Sequence, residues 1–588
     1  MNSKLKPSEE RRWEKYYPEN VKNFDFPRMK TYDLVYEENK NRKDNIALEY
    51  EGTNISYGEF FDKVEEKTEF FQDLGVKEND IVTCSMLMSP EFVYDWYALG
   101  RLNAISNLID PRTSTNGIKE YLDEAKSSVV INTDIFTSKL KEAITTQDIK
   151  VINYSLNNSA TKMPLLLGGI SLATGLYSSI LGRKDNRFIN YQDNLSIGSV
   201  EIPDYQENQA LTIVHTGGTT GVPKGVILSH DNYNAMAYEY KSSGIGFAEK
   251  DRFLLIMPPW ISYGSGMLHM SLVVGMKATI ISKLDSKKMP NYLNKYQPQW
   301  FAGVPAHYKI VNGSKLLAKN GVSYIKGCAV GGDAMSSELF LESEQFLKEN
   351  GASKGVYPGY ALTEATSAFA VRQLEPYKPG SVGIPLPGCT VGIFKFDEET
   401  ETTKDEELDY NMRGEICLRT PNQMLGYFNN PTLTEQVLRK HKDGYIWIHT
   451  GDLGYIDEDG ILYVDGRIKE MITRYDGFKI YPFVIDKLVS TNKAIFACKT
   501  VGVPDNIHGV GNYAKTYIVL KPEYENQEKQ IIKEIKEACN HCLPSYYTEG
   551  LNIEVTNKLP ITAVGKIDFE ALKELNEEKE LKRVRIRS

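Results

Sequence analysis

Short β-branched or apolar runs alternate with longer helical patterns along most of the chain, and no other feature constrains its fold as much. Residues 81–88 (IVTCSMLM) read as a buried strand and residues 91–102 as the helix after it. Residues 129–132 form a further strand. Residues 210–214 make a strand that runs into a Gly/Thr-rich loop, and residues 226–240 then read as helical. Residues 253–257 and 278–282 repeat the strand pattern. Such alternation favours layered α/β architecture with substantially parallel sheets. No short-period repeat is present, which argues against a solenoid or propeller.

Near residue 390 the pattern changes to shorter strands and turns. The acidic stretch 397–409 (DEETETTKDEELD) reads as a solvated hairpin loop. Asp457-Glu-Asp-Gly460 is a turn between residues 453–456 and 461–464. The C-terminal part reads as a compact α+β unit. Its helix, about residues 526–541, sets Ile531, Ile532, Ile535, Ala538, Cys539 and Cys542 on one apolar stripe. That stripe makes core packing the better reading of Cys539-Asn-His541-Cys542, because one CxxC without a second pair is a weak metal signal.

With 69 Lys and Arg against 78 Asp and Glu, the net charge of −9 over 588 residues gives no global attraction to nucleic acid. Seven cysteines are too sparse for a disulfide framework and fit a reducing compartment. The N-terminus carries no apolar core of signal-peptide type, so the expected location is cytoplasmic. Residues 163–181 (MPLLLGGISLATGLYSSIL) are apolar but too rich in Gly, Ser and Thr for a spanning helix. With Arg183, Lys184 and Arg187 following, residues 163–187 are a candidate for peripheral membrane contact.

The most informative segment is His215-Thr216-Gly217-Gly218-Thr219-Thr220-Gly221-Val222-Pro223-Lys224-Gly225, directly after an apolar strand. Glycines let backbone N–H groups turn toward an anion, threonine hydroxyls add donors, and Lys224 adds a mobile positive charge. A phosphate cradle and a Gly-rich surface loop both fit this composition. No G-x-x-x-x-G-K-[ST] pattern can be laid on it, so it is not a P-loop.

The loop resembles the signature T-S-G-T-T-G-x-P-K-G of the adenylate-forming superfamily, with Gly217 in place of the usual Ser. That group includes acyl- and aryl-CoA synthetases, adenylation domains of nonribosomal peptide synthetases, and beetle luciferases. Further similar blocks follow in the family's order: Gly331-Gly332-Asp333-Ala334; Gly359-Tyr360-Ala361-Leu362-Thr363-Glu364, with Ala361 replacing a Gly; Gly414-Glu415 to Arg419 with Gly426-Tyr427 and Pro431; Trp447 to Asp452; Gly466-Arg467-Ile468-Lys469-Glu470; and Gly565-Lys566-Ile567-Asp568. Ile55-Ser56-Tyr57 and Asp110-Pro111 fit the same template, so the likeness spans about residues 30–575.

The resemblance implies an α/β fold: a large N-terminal AMP-binding domain of layered, parallel-rich sheets over residues 1–467, with a short-stranded β subdomain at about 390–467. A small mobile α+β domain, 468–588, would hinge at Lys469. It also implies a reaction in which a carboxylate attacks the α-phosphorus of ATP, pyrophosphate leaves, and the acyl group passes to the thiol of coenzyme A. Two anions must be brought together, so positioning and positive charge suffice and no nucleophilic side chain is needed. On this template Thr216, Gly217, Gly218, Thr219, Thr220 and Lys224 cradle phosphates. Gly331, Gly332 and Asp333 line the adenine, Tyr360 stacks on it, and Gly359 belongs to the same nucleotide-binding set. Thr363 and Glu364 reach the phosphates and Mg²⁺, with Thr219 as the second Mg²⁺ residue. Asp452 and Arg467 contact the ribose, and Lys566 joins carboxylate and α-phosphate during catalysis alongside Glu364, Thr219 and Lys224.

The acid pocket is expected around Trp260, Ile261, Tyr263, Gly264, Met267 and Val304, with Gly264 and Gly266 leaving room for a chain. No acidic residue occurs from Met257 to Met270, so an α-amino acid is disfavoured: its buried ammonium would stand unpaired. A fatty or aryl acid is favoured. Two alternatives stay open: a ligase that loads the phosphopantetheine of a separate carrier protein, and a nucleotide-binding homologue without turnover.

Overall fold

The computed structural model describes residues 5–21, 24–145, 148–161, 170, 173–174, 185–189, 201–216, 224–281, 284–372, 378–561 and 567–575. Among them, two large sheets form the layered core. One runs in the order Gly426–Tyr427, Gly225–Ser229, Ala210–His215, Ile105–Leu108, Ile81–Ser85, Val129–Thr133, Lys150–Tyr154 and Phe188–Ile189. Every pair from Ala210–His215 onward is parallel. The other runs Ile384–Pro385, Ala368–Val371, Val356–Ala361, Gly327–Val330, Trp300–Gly303, Arg252–Leu255, Lys277–Ile280, Ile46–Tyr50 and Thr53–Ser56. Its five central pairings are parallel and its edges antiparallel. Helices cover both, as buried parallel strands require.

The helix expected at 91–102 is Pro90–Arg101. Proline at its first turn and Ser89, which accepts from Phe92 N–H at 3.3 Å, fix its start. The expected helix at 226–240 needs correction. Gly225–Ser229 is a strand, antiparallel to Ala210–His215, with Val226 and Leu228 wholly buried. The helix is His230–Ser242, opened by Ser229 and Asn232, each of whose side chains accepts from the other's backbone N–H. Ladder pairing claims the first residues, and the cap then starts the helix.

A third sheet is antiparallel throughout: Thr402–Glu407, Thr390–Asp397, Gly414–Arg419, Ile446–Ile456 and Leu438–Lys440, with Leu462–Arg467 also paired to Ile446–Ile456. The acidic stretch at 397–409 is therefore a hairpin as expected, but not loop throughout. Its residues 402–407 are an edge strand that pairs back on Thr390–Asp397 through the turn at 398–401, and their charges suit an edge that faces water. The turn at 457–460 forms as expected, with Asp457 Oδ1 accepting from Asp459 and Ile461 N–H, each at 3.0 Å.

The first residues lie as a strap across this sheet. Lys6 pairs with Asp409 at 2.9 Å, Ser8 with Glu407, Arg12 with the Glu458 carbonyl and Lys15 with Asp459. Trp13 is completely buried.

Past the short turn Ile468–Glu470 lies the small C-terminal domain. Strands Ile495–Pro504, Asn512–Leu520 and Asn552–Val555 pack with helices Pro482–Val489 and Glu528–Cys542. Ile531, Ile535 and Cys539 bury the expected stripe. Cys542 does not join it: the residue is exposed at the helix end, and Leu543 in the extended segment beyond packs on the core instead. All seven cysteines are free thiols. No helix among the described residues is long and apolar enough to cross a membrane. Residues 163–187 fall mostly outside the described residues, and Arg187, within them, pairs with Asp185 at 2.7 Å.

Burial holds four histidines neutral, His215 and His307 at about 4 and His230 and His269 at about 3. The unfolded chain takes up these protons near the ordinary value of ~6.5. Protons therefore favour the unfolded state as pH falls below that value. The contribution of these four histidines to the melting temperature is expected to be level above about 6.5 and to drop steadily below it, read as the difference between the parent and a His230→Gln variant in thermal unfolding across pH 5–8.

Candidate active site

Strands Ala210–His215 and Gly225–Ser229 pair so that His215 faces Gly225, and Thr216 N–H donates to the Lys224 carbonyl at 2.9 Å. Both ends of the Gly/Thr segment thus rise from one β-ladder. Gly217, Gly218, Thr219 and Thr220 lie outside the described residues, as does Lys566.

Across from this ladder, strand Gly327–Val330 delivers Gly331 and Gly332 to the C-terminal edge of its sheet. Gly332 has φ +81°, a conformation that favours glycine. A Cβ on Gly331 would stand 3.8 Å from the Tyr263 ring and one on Gly332 3.4 Å from Val304 Cγ1. The backbone expected to line adenine therefore borders two residues of the expected acid pocket. Asp333 follows on the exposed side.

Strand Val356–Ala361, which includes Gly359, brings Tyr360 and then Thr363 and Glu364 to the same edge. The Tyr360 ring packs on Phe369 with centroids 4.7 Å apart, and its hydroxyl donates to Asp452 Oδ2. Asp452 and Arg467 stand opposite each other on paired strands, with Arg467 Nε 3.1 Å from Asp452 Oδ1. Burial raises the Asp452 carboxyl, and Arg467 and Tyr360 oppose the shift. Glu364 Oε1 accepts from the Tyr427 hydroxyl at 2.6 Å, leaving its other carboxylate oxygen for further contacts. Lys224 Nζ lies 5.6 Å from the Tyr427 ring centre. Burial lowers the Lys469 ammonium, and Arg467 and Lys224 lower it further, so three cations share this cleft. The structure thus brings Lys224, Tyr360, Glu364, Asp452, Arg467 and Lys469 together.

A second layer steadies the turn that carries Asp452. Glu415 Oε1 accepts from Gly451 N–H at 2.9 Å, and its Oε2 bonds His449 Nδ1 at 2.8 Å. His449 Nε2 meets His441 Nε2 at 2.8 Å. Glu415, Cys417 and His449 lie close enough to hold a metal ion, yet the carboxylate and imidazole are already engaged in bracing the Gly451–Asp452 turn.

In the expected acid pocket, Trp260 and Met267 are buried, and Ile261 and Tyr263 join the two large hydrophobic clusters. The Arg112 guanidinium lies over the Trp260 ring at 5.3 Å. Gly264 serves a backbone purpose: a Cβ there would fall 2.0 Å from the Pro258 carbonyl oxygen. The room expected at Gly266 is bordered by two side chains: a Cβ on that glycine would stand 3.1 Å from Met236 Cε and 3.7 Å from Ser367 Cβ.

The C-terminal domain meets the cleft through Lys499. Its ammonium pairs with Glu470 at 3.1 Å, lies 5.5 Å from the Phe569 ring centre, and feels the charge of Asp333. Asp476, in the region after the expected hinge, pairs with Arg474 at 2.8 Å. The sequence motifs place Gly426-Tyr427 in a family block but give Tyr427 no role. They do not single out Glu239, Thr366 or Asn422 at all. A charged residue amid the otherwise buried face of helix His230–Ser242 is the one available signal.

Two parallel-rich layers, an antiparallel sheet and a small C-terminal domain beside a cleft that holds three cations are the architecture of the adenylate-forming class of enzyme. The chain belongs to the AMP-binding enzyme family: that family's model matches residues 35–428, and the model of the AMP-binding enzyme C-terminal domain matches residues 485–566. A long-chain-fatty-acid–CoA ligase of Bacillus subtilis (strain 168) is 26% identical over 578 residues, covering 94% of this chain and 96% of the relative. A luciferin 4-monooxygenase of Nipponoluciola cruciata is 29% identical over 382 residues, 65% of this chain and 66% of that protein. Among solved structures, the anthranilate CoA ligase AuaEII in complex with anthranoyl-AMP superposes with a TM-score of 0.76 at 19% identity, covering 94% of this chain and 98% of that one.

Proposed function

We propose that this protein activates a carboxylic acid with ATP and Mg²⁺ as an acyl-adenylate, releases pyrophosphate, and transfers the acyl group to the thiol of coenzyme A. The observation that carries this reading is the convergence of Lys224, Glu364 and the Tyr360–Asp452–Arg467 cluster on one cleft. Asp452 would accept from the ribose hydroxyls, with Arg467 holding its carboxylate in place. Tyr360, fixed through its hydroxyl, would offer its ring to adenine. Lys224 would meet phosphate oxygens at the end of the Gly/Thr segment. The oxygen donors of Glu364 suit Mg²⁺, which when bound would neutralise charge on the phosphates. A unit-charge pair ~4 Å apart at an effective dielectric of ~20 is worth ~4 kcal/mol, so a few such cations can hold two anions together.

The proposed domain boundary falls after Arg467, with Lys469 as the hinge about which residues 468–588 rotate between the two half-reactions. A fatty or aryl acid is favoured. Helix Ser262–Val274 carries no acidic residue to meet a substrate ammonium, and relatives of both kinds occur: a long-chain-fatty-acid–CoA ligase and an anthranilate CoA ligase. The proposed location is cytoplasmic.

The test is acid-dependent exchange of label between pyrophosphate and ATP over a panel of fatty, aryl and amino acids. Exchange with a fatty or aryl acid, followed by thioester formation on adding coenzyme A, is the expected result. Thioester formed only on a holo carrier protein would replace the acceptor, and no exchange with any acid would leave a nucleotide-binding protein without turnover.

A further inference from the structure

The turn that carries Glu364 is held in an unfavourable backbone conformation. Thr366 has φ +61° and ψ −40°, and Ser367 N–H donates to the Ala365 carbonyl at 2.5 Å. Together these make a γ-turn of the positive-φ form, which is rare and strained. For a β-branched residue such a φ is an outlier, and such outliers persist only where the surroundings enforce them.

The surroundings here are specific. Thr366 is completely buried, and its hydroxyl donates to the Asn422 carbonyl at 2.8 Å. Met424 N–H donates to the Glu364 carbonyl at 2.9 Å, and Tyr427 grips the Glu364 carboxylate. Residues 422–427 therefore hold the turn at three points. The Asn422 end is in turn anchored to Glu239, fully buried in helix His230–Ser242. The Asn422 amide donates to Glu239 Oε2 at 2.7 Å, and Thr420 Oγ1 lies 3.3 Å from Glu239 Oε1. The Thr420 hydroxyl donates to Asn422 Oδ1, and Cys389 Sγ lies 3.5 Å from Glu239 Oε1.

Burial pushes the Glu239 carboxyl well above the ordinary carboxylate range, so it is carried as the neutral acid. In that form the hydrogen bonds close into a ring. Asn422 donates to Glu239, Glu239 donates to Thr420, and Thr420 donates to Asn422. An ionised Glu239 would supply no proton and leave the ring one donor short.

We propose that Thr366, Asn422 and Glu239 are positioning residues that hold the strained turn and so aim the Glu364 carboxylate at Mg²⁺-bound ATP. This rests on the nucleotide reading above. Glutamine at 239 can both accept from Asn422 and donate to Thr420, whereas alanine can do neither. Valine and glycine at 366 both lose the hydroxyl, but only valine needs an anchor to stay at positive φ.

The experiment is calorimetric titration of ATP into the full-length protein at a series of Mg²⁺ concentrations with no acid present. The Mg²⁺ concentration that gives half-maximal ATP affinity is expected to rise on the order of tenfold in Thr366→Val, the scale of one lost buried hydrogen bond. In Thr366→Gly it is expected to stay near the parent's. Glu239→Ala should behave like the valine variant and Glu239→Gln like the parent, and this pair decides the matter if Thr366→Val does not fold. Equal shifts in the two variants at 366, or no shift in any variant, overturn the proposal. Mg²⁺-independent ATP binding by the parent chain, or none, overturns the nucleotide reading and this inference with it.

Discussion

Replacing Lys566 with alanine is expected to abolish formation of the acyl-adenylate while sparing the attack of coenzyme A on an adenylate supplied ready-made. The first half-reaction joins two anions, and a lysine between them stabilises charge on both as they meet. Loss of one such group removes roughly 10²–10³-fold or more in rate. The second half-reaction starts from a mixed anhydride whose phosphate is already joined and needs a path for a thiol, not that ammonium. Ile567 pairs with Ile561, and Phe569 and Leu572 lie in the core of the C-terminal domain, so the segment after the lysine is anchored independently of it. Exchange of label between ATP and pyrophosphate reads the first step, and thioester release from synthetic acyl-adenylate reads the second. Equal loss of both would remove Lys566 from its proposed role.

Removal of the Asp452 side chain is expected to weaken ATP binding about a hundredfold, the equivalent of two charge-assisted hydrogen bonds to the ribose. Asp452→Ala also strips the partner from Arg467 and from the Tyr360 hydroxyl. Breaking a buried pair by removing one member leaves the other uncompensated, so a lower melting temperature should accompany the lost affinity. Asp452→Asn separates the two effects. Its amide oxygen still accepts from Tyr360, and a neutral group suits a position where burial already raises the carboxyl. Its NH2 group then faces the Arg467 guanidinium, so this variant should lose less of the melting temperature than Asp452→Ala and still bind ATP poorly. Equal ATP affinity in parent and alanine variant, measured by calorimetry, would show that Asp452 does not touch the nucleotide.

The order of the motifs makes the cleft legible in the sequence, because the blocks lie on strands or at their ends. Val356–Ala361, Ile446–Ile456 and Leu462–Arg467 all deliver their polar residues to one place. What stays hidden depends on partners far away in the chain. Residues 226–229 (VILS) run straight into the helical pattern that follows them, and they form a separate strand because residues 210–215 offer a ladder. The acidic hairpin gives no apolar signal, yet its backbone pairs with the strand Thr390–Asp397. The support for Glu364 is the least visible: Thr366, Asn422 and Glu239 are separated by 56 and 183 residues in the two hydrogen bonds that link them. No local property of a threonine announces a positive φ.

The strap across the third sheet also bears on how the molecule is made. Lys6 and Arg12 bond partners 403 and 446 residues further on. During synthesis the first residues leave the ribosome long before those partners exist. Trp13, whose backbone abuts Gly460, must therefore remain without its final berth until residues near Gly460 have emerged. The sheet that presents Asp452 and Arg467 is thus sealed by a segment translated hundreds of residues ahead of its partners, and that seal can form only late in synthesis.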